Sequence, residues 1–469
     1  METLTTKHSP LKTILVTGCA GFIGSNFVPY FLEKYPNYRI VNLDLLTYAG
    51  NLDNLKEVED ILNNNSTLLA LNADTPVSKE QEGCNTQHST LQNDRYHFVK
   101  GNICNRELVE FIFNEYDVQA VIHFAAESHV DNSIKNPGVF VETNVNGTFT
   151  LLDVAYKYWM EKPFKYRERY MEGVFSDECF TPRAFPNRAV MSEKEQEQEQ
   201  EKNNCPTEMP LGATLNTHHS KLDEITLPRF HHISTDEVYG TLSDDPDDLF
   251  TEETPYAPNS PYSASKASSD MIVRSYVETY GMDCVITNCS NNYGPKQHDE
   301  KLIPTIIRKA LVGESIPIYG DGKNIRDWLY VLDHCKGIDL AYHTGKKGEV
   351  YNIGGRNERT NLQIVDRICE ILDEKIPPQT NSKLLALNGD TPVSKEQEGC
   401  NTKHLTLKSY KDLVTFVDDR AGHDRRYAID ATKIENELGW KADEDFDSGI
   451  VKTVEWYLEK YLTKHHVSS

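Results

Sequence analysis

Short runs of apolar, β-branched and aromatic residues recur along the chain and alternate with longer segments that have helical periodicity. Runs of this length suit strands that are buried on both faces of a parallel sheet. Five such runs are KTILVTG at 12–18, RIVNLD at 39–44, AVIHFAA at 120–126, RFHHIST at 229–235 and CVITNCS at 284–290. Segments 25–35 and 263–280 are helix-like. The alternation predicts an α/β fold with a Rossmann-type, doubly wound parallel sheet.

Three segments interrupt this alternation, and we predict that they are inserted loops at 63–92, 160–228 and 378–407. A near-identical sequence occurs at 68–91 and at 384–407, with three differences between the copies. The copies are too far apart to stack on each other as solenoid repeats do. We interpret them as inert insertions that surface loops tolerate. A paired binding module is the alternative, which the shortage of aromatic residues disfavours.

Composition excludes several classes of protein. The chain has 469 residues, enough for two domains, and its net charge of −23 disfavours nucleic acid or an anionic membrane as a partner. The ten cysteines contain no CxxC pair, which favours free thiols in a reducing compartment over disulfides or a metal site. No segment has the pattern of a signal peptide or a membrane span. We therefore predict a cytoplasmic protein, and the acidic background is compatible with a local pocket for an anionic small substrate.

A glycine-rich motif, TGCAGFIG at 17–24, directly follows the first predicted strand and precedes a helix. In this context Gly18 can form the tight turn, Gly21 lets the backbone approach a pyrophosphate, and Gly24 permits close helix–strand packing. Asp44 ends the next strand, where a carboxylate accepts hydrogen bonds from adenosine ribose hydroxyls and repels an additional phosphate. Together these residues predict NAD as the cofactor.

Tyr262 and Lys266 lie four residues apart in a helix-like segment, so both side chains are on one helix face. Pro261 is suited to the first turn of that helix. A nearby ammonium group stabilises a phenolate, and we therefore expect Lys266 to lower the pKa of Tyr262. Tyr262 then acts as a base for a substrate hydroxyl while hydride leaves for NAD. A surface Tyr–Lys pair is the alternative, which the upstream nucleotide motif disfavours.

Thr235, Asp236 and Glu237 follow the predicted strand 229–235. Ligands of open α/β sheets bind at the carboxyl ends of the strands. Two adjacent carboxyl groups provide an acid and a base if their environments separate their pKa values. Two solvated loop carboxylates are the alternative, but Thr235 beside them is suited to binding a substrate hydroxyl, which favours a reacting centre.

Eight motifs follow one another in the order of a known family: TGCAGFIG, HFAAESHVD, ISTDEVYG, YSASK, SNNYGP, KLIP, IRDWLYV and DRAGHDRRYAID. The chain resembles the dTDP-glucose 4,6-dehydratases, which belong to the extended short-chain dehydrogenase/reductases. The resemblance covers nearly the whole chain outside the three predicted insertions. Related epimerases share the glycine loop and the YxxxK motif but typically lack the Asp–Glu pair.

The resemblance implies a lyase that converts dTDP-glucose to dTDP-4-keto-6-deoxyglucose and water, with NAD reduced and restored in one turnover. Tyr262 would take the proton of the 4-hydroxyl, Glu237 would remove the C5 proton, and Asp236 would protonate the departing 6-hydroxyl. Thr235 and Lys266 complete the implied catalytic set. The resemblance also implies a homodimer. Two alternatives are a related NAD-dependent sugar-nucleotide epimerase or decarboxylase, and an NAD-binding scaffold inactivated by its insertions.

The implied organisation is an NAD-binding domain at 11–292, to which part of 330–355 returns, and a smaller α/β substrate-binding domain at 293–462. The residues implied to bind NAD are Gly18, Gly21, Phe22, Ile23, Gly24, Asp44, Leu45, Leu46, Thr47, Asn102, Ile103, Phe124, Ala125, Ala126, Glu127, Ser128, Thr143, Tyr262, Lys266 and Asn292. Those implied to face the nucleotide sugar are Ser128, Thr235, Glu237, Asn291, Lys301, Leu302, Pro317, Ile318, Tyr319, Arg326, Asn361, Arg420 and His423. Arg326 is the candidate for the diphosphate because a guanidinium matches phosphate oxygens, and a surface ion pair with Asp327 is the alternative.

Overall fold

The computed structural model describes residues 11–62, 94–171, 227–378, 407–419 and 424–463. Almost all of the predicted insertions at 63–92 and 378–407, and residues 172–226 of the third, lie outside the described residues. Arg420 and His423, two of the predicted substrate contacts, also lie outside them.

The elements alternate as the hydrophobic pattern predicts. The strands are β1 (Lys12–Thr17), β2 (Tyr38–Asp44), β3 (Tyr96–Lys100), β4 (Ala120–His123), β5 (Met160–Lys162), β6 (Lys165–Tyr166), β7 (Arg229–Thr235), β8 (Cys284–Cys289), β9 (Asn291–Tyr293), β10 (Ile316–Tyr319), β11 (Ile325–Tyr330), β12 (Val350–Ile353), β13 (Glu358–Thr360), β14 (Val414–Val417) and β15 (Arg426–Tyr427). The helices are α1 (Phe22–Lys34), α2 (Arg106–Tyr116), α3 (Val130–Lys135), α4 (Pro137–Phe140), α5 (Thr148–Trp159), α6 (Pro261–Tyr280), α7 (Leu302–Leu311), α8 (Val331–Thr344), α9 (Asn361–Lys375), α10 (Thr432–Leu438) and α11 (Phe446–Thr463).

Seven strands form one parallel sheet in the order β12-β8-β7-β4-β1-β2-β3. The chain starts in the middle at β1, runs outward through β2 and β3, and then returns to β4 on the other side of β1. This order confirms the predicted doubly wound sheet. All five strands that the sequence predicts belong to this sheet. The reversal of strand order between β1 and β4 opens a crevice at their carboxyl ends, where such folds bind their ligands.

Helices cover both faces of this sheet, which explains why its strands are apolar on both sides. On one face, Phe27 and Phe31 of α1 pack with Ile338 of α8. On the other face, Phe113 of α2 and Leu152 of α5 belong to a second buried cluster, together with residues of α6. Burial of each such large apolar side chain contributes roughly 1.5–3 kcal/mol to folding. The sheet is therefore fixed between two apolar layers, and its carboxyl edge forms a rigid base for the site.

Residues 160–171 begin the segment that we predict to be inserted. They form the antiparallel hairpin β5–β6 and a turn of 3-10 helix at Glu168–Tyr170. Tyr166 is buried in the cluster under α5, and its hydroxyl accepts a hydrogen bond from the Asp283 amide at 2.6 Å. This part of the segment therefore packs with the NAD-binding half of the molecule.

The C-terminal part of the chain forms a smaller α/β unit. Strands β13, β11 and β15 form a small sheet that β9 extends, and β10 pairs with β14. Helices α7, α9 and α11 enclose a third apolar cluster, which includes Ile307, Ile368 and Ile450. Strand β12 leaves this unit and pairs with β8, so the chain returns to the seven-stranded sheet. The two units meet where β8 leads into β9, next to the crevice.

Candidate active site

A cavity of about 330 Å³ lies at the carboxyl ends of the central strands. The glycine loop after β1 lines it, and so do Asp44 at the end of β2 and the Thr235–Glu237 segment after β7. Tyr262 and Lys266 of α6 line the same cavity. The structure thus brings the predicted cofactor motif and the predicted reacting groups together.

The glycine loop has the geometry that its sequence predicts. Gly18 has φ +76°, a left-handed conformation that favours glycine, and a Cβ there would lie 2.6 Å from the Ala125 Cα. A Cβ on Gly24 would lie 2.6 Å from the Cys19 Cα. At Gly21, which precedes α1, no side chain of the described residues caps the helix. The first-turn amides of α1 are therefore available to an anion such as a pyrophosphate.

Asp44 is held in a fixed orientation by two backbone amides. Its Oδ2 accepts a hydrogen bond from Ala20 N at 2.8 Å, and its Oδ1 accepts one from Leu46 N at 2.7 Å. Each carboxylate oxygen can accept a further hydrogen bond, so the carboxylate can also bind ribose hydroxyls. Asn102 lines the same end of the cavity, and its Oδ1 accepts a hydrogen bond from Cys104 N.

The start of α6 places Tyr262 and Lys266 at the cavity. Ser260 caps this helix, because its Oγ accepts a hydrogen bond from Ser263 N at 3.0 Å, and Pro261 occupies the first turn as predicted. Both Tyr262 and Lys266 are buried. The Lys266 ammonium donates to the Ile233 carbonyl at 2.8 Å, which ties α6 to β7.

We predicted a lowered pKa for Tyr262, and this prediction is wrong when only the groups of the protein itself are considered. Burial raises the pKa of Tyr262 well above its ordinary value, and the charge of Glu237 raises it further. A hydrogen bond with Thr235 acts in the opposite direction but does not outweigh them. The surroundings of Tyr262 therefore favour its neutral phenol form, and a positive charge bound nearby would favour the phenolate.

Asp236 and Glu237 have different surroundings although they are adjacent. Asp236 is 2% exposed, and its Oδ2 has no hydrogen-bond partner among the described residues. Burial raises the pKa of Asp236 well above its usual range, and Glu237 and Asp327 raise it further. Glu237 is less buried, and its Oε2 accepts a hydrogen bond from Ser263 Oγ at 3.1 Å. This raised pKa favours the protonated form of Asp236, which suits a general acid beside a second carboxyl group.

Nearly all predicted cofactor contacts line this cavity. They are Gly18, Gly21, Phe22, Ile23, Gly24, Asp44, Leu45, Thr47, Asn102, Ile103, Phe124, Ala125, Ala126, Glu127, Ser128, Thr143, Tyr262, Lys266 and Asn292. Leu46 is the exception, because its side chain packs against the apolar core instead.

Fewer of the predicted substrate contacts reach the cavity. Ser128, Thr235, Glu237, Asn291 and Lys301 line it. Six others are outside the lining set, namely Leu302, Pro317, Ile318, Tyr319, Arg326 and Asn361. Ile318 is 1% exposed and Leu302 packs against the core of the smaller unit, so neither side chain is directed at this cavity.

Arg326 is buried, which rules out the alternative of a surface ion pair with Asp327. Its guanidinium donates to the Ile325 and Asp424 carbonyls at 2.7 and 2.8 Å and lies over the Tyr427 ring. Asp327 accepts hydrogen bonds from two amides of the loop after β12. The charge of Arg326 still reaches the reacting centre, since it opposes the rise in the pKa of Asp236.

Several residues that line the cavity are absent from the sequence prediction. Four of them are Tyr48, Gln297, His298 and Glu300. Three of them lie directly after the SNNYGP motif, and Tyr48 follows the predicted contact Thr47. Their position next to predicted contacts is the signal that could have identified them.

The fold and the site together define an NAD-dependent enzyme of the epimerase/dehydratase class. The profile described as the NAD dependent epimerase/dehydratase family matches residues 14–166, and the one described as GDP-mannose 4,6 dehydratase matches residues 215–453. The dTDP-glucose 4,6-dehydratase of Neisseria gonorrhoeae is 40% identical over 96% of this chain and 96% of its own length. That of Salmonella typhimurium is 41% identical over 97% of this chain and 95% of its own length.

Solved structures agree with these relatives. The Bacillus anthracis dTDP-glucose 4,6-dehydratase in complex with NAD matches with a TM-score of 0.61 and 36% identity, covering 97% of this chain and 99% of that one. The Streptomyces venezuelae enzyme with NAD and TYD bound matches with a TM-score of 0.62 and 34% identity, covering 96% and 98% of the two chains. The chain belongs to the dTDP-glucose 4,6-dehydratase family.

Proposed function

We propose that this protein converts dTDP-glucose to dTDP-4-keto-6-deoxyglucose and water, using NAD that is regenerated in each turnover. The observation that carries the proposal is that Asp236, whose pKa is raised, the neighbouring Glu237 and the buried Tyr262 line a single cavity. An epimerase needs the phenol but has no use for the adjacent acid–base pair. Family membership supports the same substrate.

The residues at the other end of the cavity fit NAD. The open first turn of α1 suits the pyrophosphate, and Asp44 suits the adenosine ribose. NAD, when bound, supplies a hydride acceptor for C4, a hydride donor for C6 and a positive charge on the nicotinamide. Such a charge would oppose the rise in the pKa of Tyr262 that burial and Glu237 cause.

Tyr262 is the group that we assign to the 4-hydroxyl. Its phenolate takes the hydroxyl proton as the C4–H bond breaks, which leaves a ketone at C4. Thr235 is suited to hold the same substrate oxygen, because it is the side-chain partner of Tyr262 within the cavity. The buried ammonium of Lys266 is suited to stabilise the phenolate form.

The adjacent carboxyl groups then carry out the elimination. The C4 ketone acidifies C5, and Glu237 removes the C5 proton as the C6–O bond breaks. Asp236 gives its proton to the departing 6-hydroxyl, which leaves as water, and a C5–C6 alkene remains. Addition of a hydride at C6 and return of the proton from Glu237 to C5 would complete the 6-deoxy sugar. Tyr262 then still holds the 4-hydroxyl proton and Asp236 has lost one, so proton exchange with solvent must restore both groups before the next turnover. The net change is loss of one water molecule.

Incubation of the purified protein with dTDP-glucose and NAD tests the proposal, with mass spectrometry of the sugar nucleotide. We expect a product lighter by one water, and we expect UDP-glucose and GDP-mannose to react more slowly. Tyr262→Phe should abolish turnover, whereas Tyr280→Phe, at the far end of the same helix, should retain it. An epimer of unchanged mass, or no product from folded, NAD-loaded protein, would exclude the dehydratase function.

The proposed assembly is a homodimer built on α5 and α6. These helices pack side by side, and each exposes a large apolar residue, Phe149 at 44% and Met271 at 57%. Val141, which begins the π-helical segment Val141–Gly147 that leads into α5, is also exposed. Exposed apolar groups on neighbouring elements favour a protein partner. Sedimentation should give a dimer that Met271→Glu with Phe149→Glu dissociates. Phe111→Glu, at an equally exposed position on α2, is the control and should leave the dimer intact.

The proposed location is the cytoplasm. The cysteines of the described residues are free thiols, and Cys19, Cys284 and Cys335 are buried in the core. Free buried thiols are typical of proteins from reducing compartments. None of the helices that the structure describes is long and apolar enough to cross a membrane.

A further inference from the structure

A buried carboxyl group lies one turn beyond Lys266 on α6. Asp270 is 2% exposed and Lys266 is 4% exposed, so both charges are withdrawn from water. His232 of β7, which is fully buried, lies between them. Its Nε2 is 3.3 Å from Lys266 Nζ and 3.1 Å from Asp270 Oδ1. The three side chains form a continuous polar group beneath the cavity.

Two hydroxyl groups from outside α6 hold the Asp270 carboxylate in place. Ser234 Oγ donates to Asp270 Oδ2 at 2.8 Å, and Tyr256 Oη donates to the same oxygen at 3.0 Å. Burial raises the pKa of Asp270 to about 6, whereas the charge of Lys266 and these two donors oppose the rise, so the carboxyl group is mainly ionised above that pH. The two donors also orient the carboxylate so that Oδ1 faces His232. A buried carboxylate requires such partners, because an isolated one is strongly unfavourable.

His232 cannot relay a proton between its two neighbours. Lys266 and Asp270 both face Nε2, and a single ring nitrogen either accepts or donates one hydrogen bond. A relay would need one neighbour on each ring nitrogen, but His232 Nδ1 has no hydrogen-bond partner among the described residues. Asp270 therefore acts on Lys266 through its charge and not through proton transfer.

The other titratable groups around Lys266 offer it no counter-charge. His123 of β4 and His232 are uncharged, because burial lowers their pKa values well below the ordinary range. Burial raises the pKa of the Cys289 thiol to about 12, so it is not a thiolate. Among the described residues that act on Lys266, Asp270 is thus the anion. Burial lowers the pKa of Lys266, and the charge of Asp270 opposes that shift.

We propose that Asp270 is a positioning residue, whose buried carboxylate keeps the Lys266 side chain a cation and holds it at the cavity floor across His232. This inference rests on the proposed function, in which the Lys266 ammonium stabilises the phenolate of Tyr262. The network extends the reacting centre one helical turn below the cavity, because Asp270 itself does not line it.

The pH dependence of kcat tests this role with Asp270→Asn, which keeps the shape and removes the charge. Without its counter-charge Lys266 loses its proton earlier, so the alkaline limb should move to lower pH by about one to two units. KM should change less than twofold. Tyr256→Phe is the control, since it removes a hydrogen bond but leaves Asp270 ionised at alkaline pH, and its alkaline limb should match wild type. An unshifted limb in Asp270→Asn would overturn the proposal.

A double-mutant cycle measured by urea unfolding tests the coupling between Lys266 and Asp270 without an activity assay. It therefore also applies if the wild type does not turn over dTDP-glucose. Lys266→Met and Asp270→Asn each leave one buried charge without its partner, so each alone should lower the urea midpoint. The double variant should be at least as stable as the less stable single variant, and should fold even if Asp270→Asn alone does not. Additive losses, or failure of the double variant to fold, would show that the charges are not coupled.

Discussion

The Ser263 hydroxyl donates a hydrogen bond to Glu237 Oε2, with 3.1 Å between the two oxygens. Ser263 lies in the first turn of α6, next to Tyr262, whereas Glu237 follows β7. The bond therefore joins the two segments that carry the reacting groups. It fixes the proposed base of the elimination relative to the proposed base of the oxidation.

Ser263→Ala should lower kcat with little effect on KM. A hydrogen bond to a charged group is worth about 1.5–3 kcal/mol, so a tenfold or larger loss is expected. The step affected is removal of the C5 proton, and exchange of the C5 hydrogen with deuterium from solvent measures it directly. Ser268→Ala is the matched control, because Ser268 is exposed and its hydroxyl, among the described residues, bonds to the Ala264 carbonyl of its own helix. Equal losses in both variants would contradict this role.

Asp236→Asn should abolish dehydration yet stabilise the fold at neutral pH. Because the pKa of Asp236 is raised in the folded protein, its contribution to stability is fully present below the unfolded value of about 4. That contribution is lost as the pH rises toward the folded pKa. The asparagine does not titrate, so the variant should gain about 1–3 kcal/mol at pH 7 and nothing at pH 4.

Urea unfolding at several pH values checks this, with Asp53→Asn as the exposed control that should show no such trend. A wild type as stable as Asp236→Asn at pH 7 would mean that Asp236 is ionised in the folded protein. The first half-reaction, read as absorbance of the reduced nicotinamide, should survive in Asp236→Asn because Tyr262 remains.

Gly24→Ala should weaken both NAD binding and the fold. The added methyl would lie 2.6 Å from the Cys19 Cα, so the loop must move away from α1. Overpacking of this kind costs about 1–3 kcal/mol. Gly138→Ala is the control, since a methyl there meets no atom within 4 Å. Thermal unfolding with and without NAD measures the effect, and identical melting temperatures for the two variants would contradict it.

Asp339→Ala should strongly destabilise the contact between α1 and α8. The Asp339 carboxylate pairs with Lys34 at 2.6 Å and with His343 at 2.8 Å, and it also accepts a hydrogen bond from the Tyr30 hydroxyl. Lys34 is 43% exposed and can return to water, but the Tyr30 hydroxyl and His343 lose a buried partner, which costs about 1–3 kcal/mol for a donor left unsatisfied. Burial alone would raise the pKa of Asp339, but His343 and Lys34 lower it overall, so its contribution is present above the unfolded pKa and is lost at acid pH.

Urea unfolding at neutral and acid pH measures this contribution. The difference between wild type and Asp339→Ala should shrink as the pH falls through the folded pKa of Asp339. Asp131→Ala, a carboxylate in the first turn of α3, is the comparison and should cost much less. A constant difference at all pH values would mean that the loss comes from packing and not from charge.

The sequence by itself determined the class of fold and the location of the chemistry. Strand runs, the spacing of Gly18, Gly21 and Gly24, and the four-residue step from Tyr262 to Lys266 are local patterns. They depend on backbone geometry within one or two elements, and the structure has those elements where the patterns place them. The doubly wound sheet and the dTDP-glucose 4,6-dehydratase family, both predicted from such patterns, are confirmed.

Only the tertiary structure decided the directions of the pKa shifts at the reacting centre and which residues line the cavity. The pKa of Tyr262 is raised and not lowered, because it depends on burial and on Glu237, which the chain brings close from another element. The role of Asp270 depends on a contact with β7, and the place of His298 at the cavity depends on how two units meet. Desolvation and long-range proximity arise from packing of distant segments, and a local sequence pattern carries no measure of either.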